Sequence, residues 1–145
     1  MRSVYKTGFA TSQEAYEEHV FPLFESLDRL EKHLAEPAHQ PYLFGEYITD
    51  ADIRLFPTLI RFDTAYHTIF KCNLKMIRHD YPRLDAWLRR LYWDEGPETN
   101  GGAFKHTTHV NCFKRGYADV RGMTVVPAGP VPDVLPLHAS NGVAK

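Results

Sequence analysis

The residues able to do chemistry are few in this 145-residue chain. Cys72 lies in Phe70-Lys71-Cys72-Asn73, where the lysine would favour a thiolate if the two side chains met. The other reading is a structural thiol at a helix end, and the apolar residues before it favour that. His106 and His109 stand at a helical spacing that can hold a metal, but no third ligand accompanies them, so a surface pair is expected. No glycine-rich phosphate loop, nucleophile elbow or paired-carboxylate pattern occurs. Three of the tyrosines, Tyr5, Tyr66 and Tyr117, come from separate segments. A phenol both stacks on and hydrogen-bonds to an aromatic ligand, so these are the candidate binding residues. Taken singly, each is as well explained by the core or its rim.

Composition narrows the setting. A net charge of −1 disfavours nucleic acid and acidic membrane as partners. No apolar run approaches the ~18 residues of a membrane span, and the first residues lack an apolar secretory core. Two cysteines, Cys72 and Cys112, make no disulfide framework, so a reducing, cytoplasmic setting is expected.

The elements that must position these residues all read as helices. Thr11 and Glu14 form a candidate capping box ahead of Tyr16, Val20, Leu23, Leu27, Leu30 and Leu34, an apolar stripe that predicts a helix of about 22 residues, bent at Pro22. Pro37 and Pro41 bracket a loop. The strongest start signal follows: Thr49 as N-cap, Asp52 reaching back to it, and Ile48 with Ile53 as a hydrophobic staple. The helix it opens is apolar on more than one face and is expected to run to about Phe70 as the buried helix of a bundle, kinked at Pro57. Arg54, Arg61 and Asp63 on it would need partners. A short helical piece over 74–79 precedes Pro82, a suitable first residue for a helix whose apolar face is Leu84, Trp87, Leu88, Leu91 and Tyr92. One more helix is expected from Phe104 to Tyr117, then a proline-broken apolar tail, Thr124 to Pro132, lying extended on the body, and a frayed end over 138–145. With no strand pattern, the fold class is all-α.

The segment Gly45-Glu46-Tyr47-Ile48-Thr49-Asp50-Ala51-Asp52-Ile53-Arg54-Leu55-Phe56 resembles the capping motif in the C-terminal helical domain of glutathione transferases. With Thr58 to Asp63, Tyr66, Phe70-Lys71-Cys72-Asn73, Val4 to Tyr16, Asp80 to Leu84 and Pro127 to Pro130, it is most similar to the Xi class, the glutathionyl-hydroquinone reductases, relatives of the Omega class. The resemblance extends to about Asp133. It implies a helical bundle over 1–137 that forms the pocket for the electrophilic substrate. It also implies a thioredoxin-like domain that binds glutathione and carries a Cys-Pro nucleophile. In that family the cysteine takes glutathione from a glutathionyl-hydroquinone, and a second glutathione releases it as the disulfide. Neither Cys72 nor Cys112 precedes a proline and no βαβ pattern occurs, so the thioredoxin-like domain is expected to be missing here and the chain alone inactive. Cys72 matches a cysteine of the family's helical domain. Tyr5, Tyr66 and Tyr117 match tyrosines over the hydroquinone pocket. Cys112 to Tyr117 departs from the family's His-rich version of that helix, and Ile69 stands where a histidine is common. The implied ligands are glutathione and a small aromatic or quinone-derived glutathione conjugate. The implied protein partner is a second copy or a thioredoxin-like domain. The rival expectation is a non-catalytic aromatic-binding or dimerisation module, or a fragment.

Overall fold

The computed structural model describes residues 2–138, and these form a helical bundle with no strand among them. Its α-helices are α1 (Arg2–Phe9), α2 (Gln13–His33), α3 (Asp50–Leu59), α4 (His67–Ile69), α5 (Ile77–Asp80), α6 (Pro82–Trp93), α7 (Ala103–His106) and α8 (Val110–Val120). Helix α1 packs along α2, and the segment between α3 and α4 sits centrally, touching α3, α5 and α8. Val20 and Phe24 of α2, Leu84 and Trp87 of α6 and that segment's Phe62 are buried in one core cluster. Phe24 meets Phe62 edge to face at 5.9 Å.

Three local starts differ from the sequence reading. Helix α2 begins one residue later, because Ser12, in extended backbone, accepts the Ala15 N–H at 3.2 Å on its hydroxyl. The Thr11–Glu14 box is therefore not used. The short piece begins at Ile77 rather than Leu74. The helix expected from Phe104 to Tyr117 is two, α7 and α8, parted by the segment 107–109.

The helix expected to run from Thr49 to Phe70 is also broken. Beyond Leu59 the chain turns and then forms a π-helix, Phe62–Tyr66, in which the Arg61 carbonyl accepts from both Ala65 (2.9 Å) and Tyr66 (3.0 Å). The Arg61 side chain contributes to the break, since its Nη1 donates to the Pro57 carbonyl at 2.9 Å, one turn back. A π turn carries an extra residue per hydrogen bond, so side chains after it are rotated from where an α-helix would aim them. Tyr66 is the last residue of that turn.

Asp52 anchors α3 more widely than a cap needs. Its carboxylate accepts from the Thr49 N–H at 2.9 Å and the Thr49 hydroxyl at 2.7 Å. It also accepts from the Leu43 N–H and the Trp87 indole, each at 2.9 Å. The loop that delivers Leu43 is closed by paired backbone bonds between Tyr42 and Gly45, with Gly45 at φ +111, a conformation that glycine adopts at little cost. Burial alone would raise the Asp52 pKa, but these donors outweigh it and hold the carboxyl below its ordinary value. Asp63 is another buried carboxylate. It takes the Ile77 and Arg78 N–H groups at 2.7 and 3.0 Å, capping α5, and lies 3.5 Å from Arg78 Nε. The staple fares differently: Ile53 is 54% exposed, so it does not close over Ile48 as a buried pair.

The tail docks on the body chiefly through residues 132–136, later than the expected Thr124 to Pro132, where Val125 and Val131 are exposed. Arg78 donates to the Pro132 carbonyl, Trp93 to Leu135 and Arg89 to Pro136, each at 2.8 Å. Lys114 pairs with Asp133, and Val134 is buried between these anchors. Apart from His138, the end expected to fray lies outside the described residues.

Candidate functional site

The three tyrosines meet. Tyr5 comes from α1, Tyr66 from the end of the π turn and Tyr117 from α8. The Tyr117 hydroxyl stands 2.8 Å from that of Tyr5 and 2.9 Å from that of Tyr66. Exposure is graded across the cluster: Tyr66 is 2% exposed and Tyr5 40%.

Phe70 is the floor beneath them. It is fully buried, stacks on Tyr66 at 5.6 Å and 17°, and meets Tyr5 and Tyr117 edge-on at 5.6 and 5.2 Å. Such ring pairs contribute about 0.5–1.5 kcal/mol each beyond their burial, so four aromatic rings make a stiff wall. Gly8 makes the approach of α1 possible. A Cβ there would stand 2.4 Å from the Phe70 ring. Sequence reasoning did not single out Phe70 or the role of Gly8. The available signal was the three-residue step from Tyr5 to Gly8, which puts both on one face of a helix.

Three phenols carry three protons, and two contacts use two of them. Burial, then the bond to Tyr117 and the nearby Tyr5 phenol, raises the Tyr66 pKa well above a free phenol's. Burial and the bond to Tyr5 raise that of Tyr117, against a smaller lowering by Tyr66 and Arg61. Both are therefore neutral at neutral pH. Either oxygen can donate in each contact, and the order Tyr66 to Tyr117 to Tyr5 is the one that lets the buried hydroxyl donate and leaves the Tyr5 O–H, on the exposed side, free to donate outward. Chemically the cluster can hold an aromatic ring and donate to an oxygen on it. Tyr66 and Tyr117 offer no phenolate nucleophile at neutral pH.

The other candidates separate. Cys72 is fully buried, and burial pushes its thiol up to about 12, so it is a neutral structural group. Its backbone N–H donates to the Tyr66 carbonyl at 3.1 Å, which ties the turn after Phe70 to the site. The neighbouring Lys71 is exposed at φ 58, and its carbonyl accepts from the Tyr16 hydroxyl at 2.7 Å. Cys112 is exposed on α8. His106 ends α7 and His109 precedes α8, and no group of three metal-ligating side chains occurs among the described residues. No helix is long and apolar enough to cross a membrane among them either.

Residues 13–90 match the family model described as glutathione S-transferase, C-terminal domain. The chain is 44% identical over 135 residues to glutathione S-transferase omega-like 2 of Schizosaccharomyces pombe, covering 90% of this chain and 41% of that protein. It is 45% identical over 136 residues to the glutathionyl-hydroquinone reductase YqjG of Escherichia coli, covering 93% of this chain and 39% of that one. Among solved structures, the glutathione S-transferase Xi of Phanerochaete chrysosporium superposes with a TM-score of 0.82 at 51% identity, over 94% of this chain and 44% of its own. The chain thus spans about two fifths of the length of the curated relatives it matches. The bundle, its capped α3 and the matched residues agree: this chain belongs to the glutathione S-transferase C-terminal domain family, with Xi and Omega-like transferases and glutathionyl-hydroquinone reductases as its relatives.

Proposed function

We propose that this chain is the substrate-binding helical part of a glutathione transferase of the glutathionyl-hydroquinone reductase type, and that Tyr5, Tyr66 and Tyr117 bind the aromatic ring of its substrate. The observation that carries the reading is the meeting of the three hydroxyls at 2.8 and 2.9 Å, with the three rings packed on a buried Phe70. The Tyr5 O–H donates to a ring oxygen of the hydroquinone. Tyr117 and Tyr66 fix the Tyr5 hydroxyl and, being neutral, add no charge that would repel a phenolate. The exposed edge of Tyr5 offers a face to the ring.

Glutathione is the co-substrate this reading implies, and the E. coli relative YqjG has a glutathione-bound structure. The described residues do not fit glutathione's own chemistry. Cys72 is buried and neutral, and no strand edge is present among them to pair with a peptide backbone. In this reading the thiol chemistry belongs to a thioredoxin-like domain, and the 145-residue chain binds but does not turn over. A glutathionyl-hydroquinone titrated into the chain should quench or shift its tyrosine fluorescence saturably, and Tyr5→Phe should weaken that binding about tenfold, the equivalent of one lost hydrogen bond to ligand. Binding unaffected by Tyr5→Phe and by Tyr5→Ala would refute the tyrosine site.

The rival reading, a non-catalytic aromatic-binding module, shares the same pocket. Mixing the chain with glutathione and glutathionyl-hydroquinone, with and without a relative's thioredoxin-like domain, separates the two. Turnover restored by that domain supports the enzyme reading, and continued inactivity supports the module.

A further inference from the structure

Two residues of the π turn are tied to two residues of α8, and the spacing is the same on both sides. Asp63 and Tyr66 are three apart in the turn, and Lys114 and Tyr117 are three apart in α8. Tyr66 meets Tyr117 directly, hydroxyl to hydroxyl at 2.9 Å. Asp63 reaches Lys114 through two intermediaries. Its carboxylate lies 3.5 Å from Arg78 Nε, and Arg78 Nη2 donates to the Pro132 and Asp133 carbonyls at 2.8 and 3.1 Å. The Asp133 carboxylate then pairs with Lys114. The four charges alternate in sign, and Asp63, Arg78 and Lys114 are buried. A second connection therefore joins the π turn to α8, independent of the phenols.

Helix α8 has little else to hold it. Of its 11 residues, Lys114 and Ala118 are the buried ones. Gly116 lies in its interior, where glycine is a poor helix former, and no side chain caps its start. A helix this short is marginal in water and takes its stability from packing. Lys114 supplies much of that packing, and a buried ammonium separates from its counter-charge only at a high cost. Residues three apart on a helix are surface neighbours, so whatever fixes Lys114 also fixes Tyr117.

We infer that Asp63, Arg78, Asp133 and Lys114 form a positioning brace for Tyr117, and that the C-terminal segment 132–136, by supplying Asp133, controls whether the tyrosine site is assembled. The effect on ligand binding rests on the tyrosine reading, whereas the effect on Tyr117 does not. Asp133 acts through Lys114 and touches no substrate. Detachment of 132–136 releases α8 and withdraws the shared partner of Tyr5 and Tyr66, with no change to the phenols themselves.

The test uses the full 145-residue chain and tetranitromethane, which nitrates accessible phenols. Peptide mass spectrometry reads the rate at Tyr117 against that at Tyr47, which is 69% exposed. Asp133→Asn should raise the relative Tyr117 rate about tenfold and weaken a glutathionyl-hydroquinone about tenfold, the worth of one charge-assisted contact. Asp133→Glu should bring both back toward the wild type. Lys114→Met strands no buried charge, should act as Asp133→Asn does, and keeps the test open if that variant does not fold. Trp93→Phe, which frees Leu135 of the same segment but leaves the brace, should alter neither quantity. A Tyr117 rate unchanged in a folded Asp133→Asn or Lys114→Met variant would overturn the proposal. So would an equal rise in Trp93→Phe, because the segment would then act through general stability. Faster nitration with unchanged ligand affinity would overturn the control of the site. A wild type that binds no glutathionyl-hydroquinone, yet shows the expected nitration pattern, would refute the tyrosine reading and uphold the brace.

Discussion

The Tyr117 hydroxyl lies 2.9 Å from that of Tyr66, and this one contact links α8 to the π turn and sets the tyrosine cluster. Tyr117→Phe removes the shared partner of both other phenols. Tyr66 is then left with a buried hydroxyl and no acceptor, which costs about 1–3 kcal/mol, whereas Tyr5 can turn to water. Chemical denaturation should show Tyr117→Phe destabilised by that amount and Tyr5→Phe by under about 1 kcal/mol. Equal losses in the two variants would mean that the relay is not what satisfies Tyr66.

Asp52 makes a sharper stability prediction. Asp52→Ala strands the buried Leu43 N–H and Trp87 indole and the half-buried Thr49 N–H. With each stranded donor costing about 1–3 kcal/mol, a loss of at least about 3 kcal/mol is expected from urea unfolding. A loss under about 1 kcal/mol would show that water reaches all three.

The same residue governs the acid limb. Its folded pKa is lowered, so its stabilisation is present above the unfolded value, about 3.9, and is lost as pH falls through the folded value. Stability measured from pH 5 downward should therefore fall in the wild type, and Asp52→Asn should flatten part of that slope. The alkaline limb has the opposite sign. Tyr66 and Tyr117 have raised folded values, so their contribution is complete below about pH 10 and is lost as pH rises further. Absorbance at phenolate wavelengths should show these two ionising together with unfolding rather than before it.

These contacts also mark what was legible in the chain. Thr49 and Asp52 were readable because a cap is local, confined to four consecutive residues. That Leu43 and Trp87 share the same carboxylate was not, since they lie nine and thirty-five positions away. The choice of Ser12 over Thr11 rests on backbone angles that adjacent hydroxyl residues leave open. The break at Arg61 had no periodic signature: an apolar run reads the same through an α and a π turn, and the Arg61 side chain folds back onto the Pro57 carbonyl there. The three tyrosines came from likeness to a family. No spacing rule joins positions 5, 66 and 117, and their meeting depends on how α1 and α8 cross the π turn.

Gly8 tests that crossing. Alanine in place of glycine inside a helix is ordinarily favourable by about 1 kcal/mol, but here its Cβ would stand 2.4 Å from the Phe70 ring. Overpacking of that kind costs about 1–3 kcal/mol, so the clash should win or cancel the gain. Gly8→Ala should thus be no more stable than the wild type and should loosen the tyrosine cluster, seen as faster aromatic ring flips by NMR. A clear rise in melting temperature would contradict the close approach.

Cys72 and Cys112 should differ in the native protein. Iodoacetamide should modify Cys112 alone at neutral pH, and Cys72 only after denaturant is added, because burial both covers the thiol and pushes it up to about 12. Mass spectrometry of the labelled peptides distinguishes the two.

The most direct measurement of the central claim is the affinity of the chain for a glutathionyl-hydroquinone before and after Tyr5→Phe, with thermal unfolding of both proteins recorded alongside. Binding should weaken about tenfold in a variant whose melting temperature is little changed, because the outward hydroxyl serves the ligand more than the fold. Unchanged binding in a folded Tyr5→Phe variant would contradict it.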